Sequence, residues 1–176
     1  MTADSCKVLV VDDDANCADE LCLLLAAAGI QTMSAHCAAD GIIKFLDDPT
    51  IRVVVSDVRM PDCDGLELLE MVRLCRERGG GASFILVTGH PEKLTSREAL
   101  ERGVSDVLLK PLDPIRVVDA VARAVALQTG ATRRTEDRTR TGEMAREFRN
   151  AGAVDDVLLD DVLAALKEIL RDDKRH

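Results

Sequence analysis

A carboxylate, Asp57, follows a run of three β-branched residues and one serine, and the residues after it have the composition of a turn. Two further acids, Asp12 and Asp13, follow another apolar run in the same way, and Thr88 and Lys110 follow two more. If each apolar run is a strand of one parallel sheet, all five side chains lie at its carboxyl edge, where open α/β sheets bind ligands. The spacing therefore predicts one polar site built from distant parts of the sequence.

The charges of these side chains indicate the chemistry. Three carboxylates held close together repel one another unless a cation joins them. Hard oxygen ligands with room for water suit Mg²⁺ better than a fully enclosed Ca²⁺, so we predict that Asp12, Asp13 and Asp57 hold Mg²⁺. Lys110 and Thr88 supply an ammonium and a hydroxyl for phosphoryl oxygens. A carboxylate can attack a phosphoryl group to form an acyl phosphate, and Asp57, after the middle strand, is the predicted nucleophile.

Each residue alone also fits a structural role. Acids after a strand commonly cap a helix, a threonine at a strand end is commonly a turn residue, and a lysine before proline is commonly solvated. It is their combination, in this order and at these strand ends, that favours a phosphoacceptor site over a set of turns.

The elements that would position the site alternate regularly between strand and helix. Short continuous apolar runs are typical of strands covered on both faces, and amphipathic stretches with polar caps are typical of helices. We predict strands at Lys7–Val11, Ile30–Ser34, Ile51–Ser56, Phe84–Val87 and Val107–Leu109. We predict helices from Asp14 or Asn16 to about Ala28 and over Ala38–Leu46, Gly65–Arg78, Leu94–Arg102 and Pro114–Leu127. This alternation predicts an α/β fold with a doubly wound, five-stranded parallel sheet.

The composition limits the class of protein. The chain has 176 residues, of which 47% are hydrophobic, and no Trp or Tyr, so its core must be aliphatic. A net charge of −9 argues against a general nucleic-acid binder. The six cysteines lack the spacing of zinc ligands and favour thiols in a reducing cytosol. Asp4 and Lys7 interrupt any early apolar run, and no run approaches the ~18 residues of a membrane span, so we expect a cytoplasmic protein.

Four segments of the sequence resemble the receiver domains of two-component response regulators. They are VLVVDDD at 8–14, SDVRMPDCDG at 56–65, VTGH at 87–90 and VLLKP at 107–111. The resemblance extends over roughly Ser5–Leu127 and implies the flavodoxin-like strand order 2-1-3-4-5. It therefore places the receiver domain at residues 1–128.

The resemblance also implies roles for individual residues. Asp57 would accept a phosphoryl group from a histidine kinase or a phosphotransfer protein, and Thr88 and Lys110 would bind the phosphoryl oxygens. The backbone carbonyl of Arg59 would join the three carboxylates around Mg²⁺. The Lys110–Pro111 bond would be cis, a geometry that is accessible only before proline.

One position departs from the pattern of the family. Receivers usually carry Tyr or Phe three residues before the lysine, and that ring moves inward on phosphorylation. Here the position is occupied by Val107, whose β-branched side chain has few rotamers and no ring. The phosphorylation site is unaffected, but the ring that the usual readout depends on is absent at this position.

Beyond the receiver, the sequence divides into a linker and a helix. Residues 1–128 contain 13 basic and 21 acidic residues, whereas residues 129–176 contain 10 and 11. Residues 129–153 read as an Arg-rich linker, and residues 154–171 contain a C-terminal amphipathic helix, clearest over Val154–Leu170. Its broad apolar face must be covered, either by its own receiver or by pairing with a second copy or a target protein.

We therefore predict a receiver that signals through protein contacts. Its chemistry would be limited to its own Mg²⁺-dependent phosphotransfer and autodephosphorylation. One alternative is a DNA-binding transcription regulator with a miniature C-terminal domain, although the four aspartates over 155–161 would repel DNA phosphates. Another is a regulatory piece of a larger output enzyme.

Overall fold

In the computed structural model, which describes residues 6–61, 63–76, 81–90 and 96–131, strands and helices alternate along the chain. The strands are β1 (Lys7–Val11), β2 (Thr32–Ala35), β3 (Ile51–Asp57), β4 (Ser83–Thr88) and β5 (Asp106–Leu109). The helices are α1 (Ala15–Ala27), α2 (Ala38–Asp47), α3 (Gly65–Arg76), α4 (Ser96–Glu101) and α5 (Pro114–Ala131). The predicted linker and C-terminal helix, at 129–153 and 154–171, lie outside the described residues from 132 onward.

The five strands form one parallel sheet in the order β2-β1-β3-β4-β5, which confirms the predicted fold class. β3 is the central strand, and its neighbours on the two sides are β1 and β4. The register pairs Val11 with Ser56 and Asp57 with Val87, so the ends of these three strands are level. That alignment brings the residues at and just after the strand ends to one edge.

Each face of the sheet carries its own apolar core. Along β1, Val8 and Val10 contribute to the core shared with α1 and α5, whereas Leu9 and Val11 contribute to the core shared with α2, α3 and α4. Alternate side chains of a strand point to opposite faces, so a continuous apolar run covers both. The uninterrupted runs of the sequence are thus explained by helices on both sides.

Several helix and strand boundaries differ from the predictions by one or more residues, among them those of β2 and α5. β2 begins at Thr32 rather than Ile30, because the Ile30 N–H donates to the Leu25 carbonyl at 3.0 Å and closes the end of α1. Gly29 at that closure has a φ of +78°, which favours glycine. α5 continues beyond Leu127 to Ala131.

The buried face of α3 also differs from the predicted one. The spacing of apolar residues over 65–78 predicts that Leu66, Leu69, Val72 and Leu74 face inward. The buried side chains are Leu68, Leu69, Met71, Val72 and Cys75, whereas Leu66 and Leu74 are only partly buried. The helix therefore buries a stripe in which residues recur three or four positions apart, and Leu66 and Leu74 lie at its margins. The predicted last two residues of this helix, 77 and 78, lie outside the described residues.

Candidate functional site

Three carboxylates meet at the carboxyl edge of the sheet. Asp57 is the last residue of β3, and Asp12 directly follows β1, its hydrogen-bonded neighbour. One carboxylate oxygen each from Asp12, Asp13 and Asp57 lie within 4.8 Å of one another. Asp12 is 2% exposed, the side chain of Asp57 is 12% exposed and Asp13 is exposed, so the cluster opens toward solvent on one side.

Lys110 joins two of these carboxylates. Its Nζ lies 3.2 Å from an oxygen of Asp12 and 3.2 Å from an oxygen of Asp57. The backbone holds it there, because the Lys110 N–H donates to the Thr88 carbonyl at 2.8 Å, just beyond the β4–β5 ladder. The Lys110–Pro111 bond is cis, as the resemblance implied.

The remaining hydrogen bonds of the acids come from backbone N–H groups. Asp12 accepts from the Asp14 N–H at 2.9 Å, and Asp57 accepts from the Arg59 N–H at 3.2 Å. Asp14 itself caps α1 by accepting from the Asn16 N–H at 2.9 Å, and these backbone bonds lower its pKa. The three consecutive aspartates therefore have two different roles. Asp14 caps α1, whereas Asp12 and Asp13 face the site.

The electrostatics of the cluster leave it short of positive charge. Burial raises the pKa of Asp57, Lys110 partly offsets that effect, and the neighbouring Asp12 adds to it. For Lys110, burial alone would lower the pKa, but Asp57 and Asp12 outweigh it and the pKa is raised. Three carboxylates around one ammonium fit a divalent cation bound through hard oxygen ligands, and the open side leaves room for water.

Thr88 lies at the end of β4, directly beside β3. It is 2% exposed, and its hydroxyl oxygen accepts a hydrogen bond from the His90 N–H at 3.0 Å. That bond uses the oxygen as an acceptor and leaves the hydroxyl proton available to donate to another oxygen. The position and this polarity suit a group that binds an anion at the same edge.

Val107 occupies the strand position at which Tyr or Phe is usual in the receivers that the sequence resembles. It pairs with Leu86 of β4 in the sheet register and is buried in the core beneath α4. Val107 therefore contributes to the core as an ordinary aliphatic residue.

Two features of the site were not singled out from the sequence. Gly65 begins α3, and a Cβ added to it would lie 2.5 Å from the backbone oxygen of Asp57. The signal available in the sequence was the glycine that closes the acidic turn at 62–65. The second feature is a groove between α1 and the start of α5, which no local pattern could reveal because its walls are distant in sequence.

The comparisons with known proteins identify the class. The chain belongs to the family described as the response regulator receiver domain, whose pattern matches residues 8–122. Such receivers are the signalling domains of two-component systems, and phosphorylation and Mg²⁺ binding are general in the family. The resemblance stated from the sequence is thereby confirmed, and so is the role of a receiver.

The relatives differ in total length from this chain. It is 33% identical over 143 residues to the transcriptional regulatory protein FixJ of Azorhizobium caulinodans, covering 80% of this chain and 64% of FixJ. It is 34% identical over 125 residues to the regulatory protein AtoC of Escherichia coli, covering 70% of this chain but 26% of AtoC. A solved response regulator receiver protein from Pseudomonas putida is similar at a TM-score of 0.63 and 30% identity, covering 69% of this chain and 99% of that chain.

No helix among the described residues is both long and apolar enough to cross a membrane. The six cysteines all lie in the described part of the chain, and no disulfide joins them.

Proposed function

We propose that Asp57 is the phosphoacceptor and receives a phosphoryl group from a histidine kinase or a phosphotransfer protein. The observation that supports this most directly is the position of Lys110, whose Nζ is 3.2 Å from both Asp57 and Asp12. Asp57 is the only member of the acidic cluster that ends the central strand, between the acidic pair on one side and Thr88 on the other. Its carboxylate is therefore available to attack a phosphoryl group, and the flanking groups can stabilise the charges of that reaction.

In the proposed reaction a carboxylate oxygen of Asp57 attacks phosphorus. The O–P bond forms as the P–N bond to the donor histidine breaks, and the departing imidazole takes up a proton. The ammonium of Lys110 balances charge on the phosphoryl oxygens, and the hydroxyl of Thr88 donates a hydrogen bond to one of them. In autodephosphorylation a water oxygen attacks the phosphorus of the acyl phosphate, the P–O bond to Asp57 breaks, and inorganic phosphate leaves while the Asp57 carboxylate is restored. The domain's own chemistry is limited to phosphotransfer and autodephosphorylation.

We propose that Asp12, Asp13 and Asp57 hold Mg²⁺ together with the backbone carbonyl of Arg59. The ion would supply positive charge to the carboxylates and to the phosphoryl oxygens. The mutual proximity of the three carboxylates and the shortage of local positive charge support this assignment. Arg59 is placed near the cluster, since its N–H lies 3.2 Å from Asp57.

The output is proposed to pass through contacts with a protein target in the cytoplasm. The second candidate, a DNA-binding transcription regulator, is supported by the similarity to FixJ, a transcriptional regulatory protein, over 80% of this chain. A gel-shift experiment at low salt distinguishes the two, because DNA binding through phosphates is strongest there.

The phosphoacceptor is tested with a small phosphodonor and Mg²⁺. We expect intact-mass spectra to show one added phosphoryl group on the wild-type chain and none on Asp57→Asn. Asp64→Asn is the matched control, because it changes an exposed acid a few residues away and keeps the side-chain oxygen that caps α3. Equal labelling of wild type and Asp57→Asn would overturn the assignment.

A further inference from the structure

A groove of about 410 Å³ runs beside the site, between α1 and the residues that lead into α5. Its apolar lining comes from Leu21 and Leu24 of α1 and from Leu112 and the flanking prolines. Asp12 and Lys110 line it as well, so the groove adjoins the candidate phosphoacceptor site directly. Its volume is within the range of roughly 300–1,000 Å³ that is usual for binding pockets.

The apolar surface of this groove is not covered by the described part of the chain. Leu24 and Leu112 are only partly buried, and Pro111 and Pro114 are exposed. Ile115, the next residue, is 73% exposed. Apolar side chains exposed together around a concavity indicate a contact site for another apolar surface.

The sequence also contains a segment whose predicted apolar face must be covered. The pattern of residues 154–170 predicts an amphipathic helix with two adjacent apolar stripes. One stripe consists of Leu159, Leu163, Leu166 and Leu170. A helix of this length is marginal in water unless its apolar face is packed.

The connection between the groove and this segment has a suitable length. α5 runs from Pro114, at the groove, to Ala131, and at 1.5 Å per residue that separation is about 26 Å. The 22 residues from 132 to 153, taken as a flexible chain, have a root-mean-square length of about 26 Å. The effective concentration of a tethered segment is highest when these two lengths agree.

Charge acts through the linker and not through the segment itself. The predicted linker contains six arginines and four acidic residues over 129–153, whereas residues 1–128 contain 13 basic and 21 acidic residues, so the linker is attracted to the receiver. Residues 154–170 contain five acidic residues and one basic residue, and the groove is lined by Asp12 and Glu20 beside Lys110. The contact of the segment with the groove must therefore come from its apolar stripe.

We propose that the apolar face of residues 154–170 docks into the α1/α5 groove of its own receiver. A second copy is a poorer occupant, because a stable association between separate chains buries about 1,200 Å² or more, and this groove accepts only a few side chains. A tethered segment needs less area, since a flexible linker supplies an effective concentration on the order of millimolar.

This docking has a consequence for the proposed phosphotransfer, on which it rests. Asp12 and Lys110 belong both to the groove and to the site, so an occupied groove places the segment beside Asp57. A protein donor must approach that edge, whereas a small phosphodonor needs much less space. Docking is therefore expected to slow phosphorylation by a protein donor more than phosphorylation by a small donor.

Cys17 provides a native probe, because it lines the groove, whereas Cys22 lies on the same helix outside it. We would treat the full chain with iodoacetamide and follow each cysteine by peptide mass spectrometry. Replacing Leu159 and Leu166 by Asp should speed alkylation of Cys17 by about tenfold, as expected if a weak contact is held by a millimolar effective concentration. The rate at Cys22 should not change.

The matched control replaces the same two leucines by Met, which keeps their apolar volume, and it should leave Cys17 protected. Equal Cys17 rates in the wild type and the Asp variant would overturn the proposal. Protection that is lost on dilution would also overturn it, because it would show that a second copy fills the groove. These readouts require no phosphorylation, so failure of the proposed phosphoacceptor would leave them unaffected.

Discussion

At the scale of single residues, the site is defined by an imbalance between burial and charge. The side chain of Asp57 is mostly buried at the end of the central strand, and Lys110 is the ammonium that contacts it. Burial raises the pKa of Asp57, and Lys110 only partly offsets this, while Asp12 adds to the rise. Burying the Asp57 carboxylate, which performs the proposed chemistry, therefore costs folding free energy.

The pH dependence of stability follows from that raised pKa. The folded protein takes up a proton at Asp57 before the unfolded chain does, so the free energy of unfolding rises as the pH falls through the folded pKa toward 3.8. Above this window the carboxylate is ionised in both states and its desolvation destabilises the fold. Without Mg²⁺, Asp57→Asn should therefore be more stable than the wild type at neutral pH, with the difference shrinking toward pH 3.8.

Urea unfolding followed by far-UV circular dichroism over a pH series measures this difference, and it suits a chain that contains no Trp. Asp19→Asn, at an exposed position on α1, is the control and should change stability little. An Asp57→Asn variant that is less stable than the wild type at neutral pH would contradict the expectation.

At the scale of elements, the end of β3 is held by the start of α3. Asp64 accepts from the N–H groups of Leu66 and Glu67, both at 2.8 Å, and the Glu67 carboxylate accepts from the Asp64 N–H at 3.3 Å. This reciprocal pair is a capping box, which defines where the helix begins. The Gly65 N–H also donates to the Val58 carbonyl at 2.9 Å, so the turn after Asp57 closes tightly.

Gly65→Ala should test how closely α3 approaches the strand. The added Cβ would lie 2.5 Å from the Asp57 backbone oxygen and 2.9 Å from a methyl carbon of Leu86. Relieving these contacts requires backbone movement, and we expect a loss of roughly 1–3 kcal/mol in the free energy of unfolding. Phosphorylation of Asp57 by a small donor should slow as well.

Gly130→Ala is the matched control for this substitution. Gly130 lies in α5, and nothing is within 4 Å of a Cβ added there. Alanine should then stabilise the helix, by up to about 1 kcal/mol. If denaturant unfolding showed equal losses in the free energy of unfolding for both variants, the close approach at Gly65 would not be the cause of the effect of Gly65→Ala.

At the scale of the whole molecule, folding itself assembles the candidate metal site. Asp12 and Asp57 are 45 positions apart in the sequence and become neighbours only when β1 and β3 pair. The unfolded chain holds no such cluster, so a cation that binds the three carboxylates stabilises the folded state. Mg²⁺ is therefore expected to act as a ligand of the whole fold.

Thermal unfolding with Mg²⁺ and with a chelator should show this linkage. Free Mg²⁺ at a concentration of ten times its dissociation constant should add about 1.4 kcal/mol to the free energy of unfolding of the wild type. Asp13→Ala should lose most of that gain, because it removes one of three carboxylate ligands, and isothermal titration calorimetry should show weaker binding. Asp19→Ala should retain the gain, and equal Mg²⁺ effects in the wild type and Asp13→Ala would leave Asp13 outside the metal site.

Much of this organisation is readable from the sequence because the signals are local. A continuous apolar run such as Val8–Val11 predicts a strand covered on both faces, and an acid or lysine directly after a run predicts a position at the carboxyl edge. The strand order came from the resemblance to receivers, which the sheet confirms. Local signals were weaker for α3, where adjacent leucines at 68 and 69 left the orientation of the buried stripe ambiguous.

Tertiary structure decided what depends on distances between remote residues. The register of β1, β3 and β4, together with the backbone bond between Lys110 and Thr88, determines that one ammonium lies 3.2 Å from two carboxylates. The α1/α5 groove likewise exists only because a helix and a loop separated by about 90 residues pack side by side. Sequence patterns report which residues have the right chemistry, whereas the packing of strands and helices determines which of them meet.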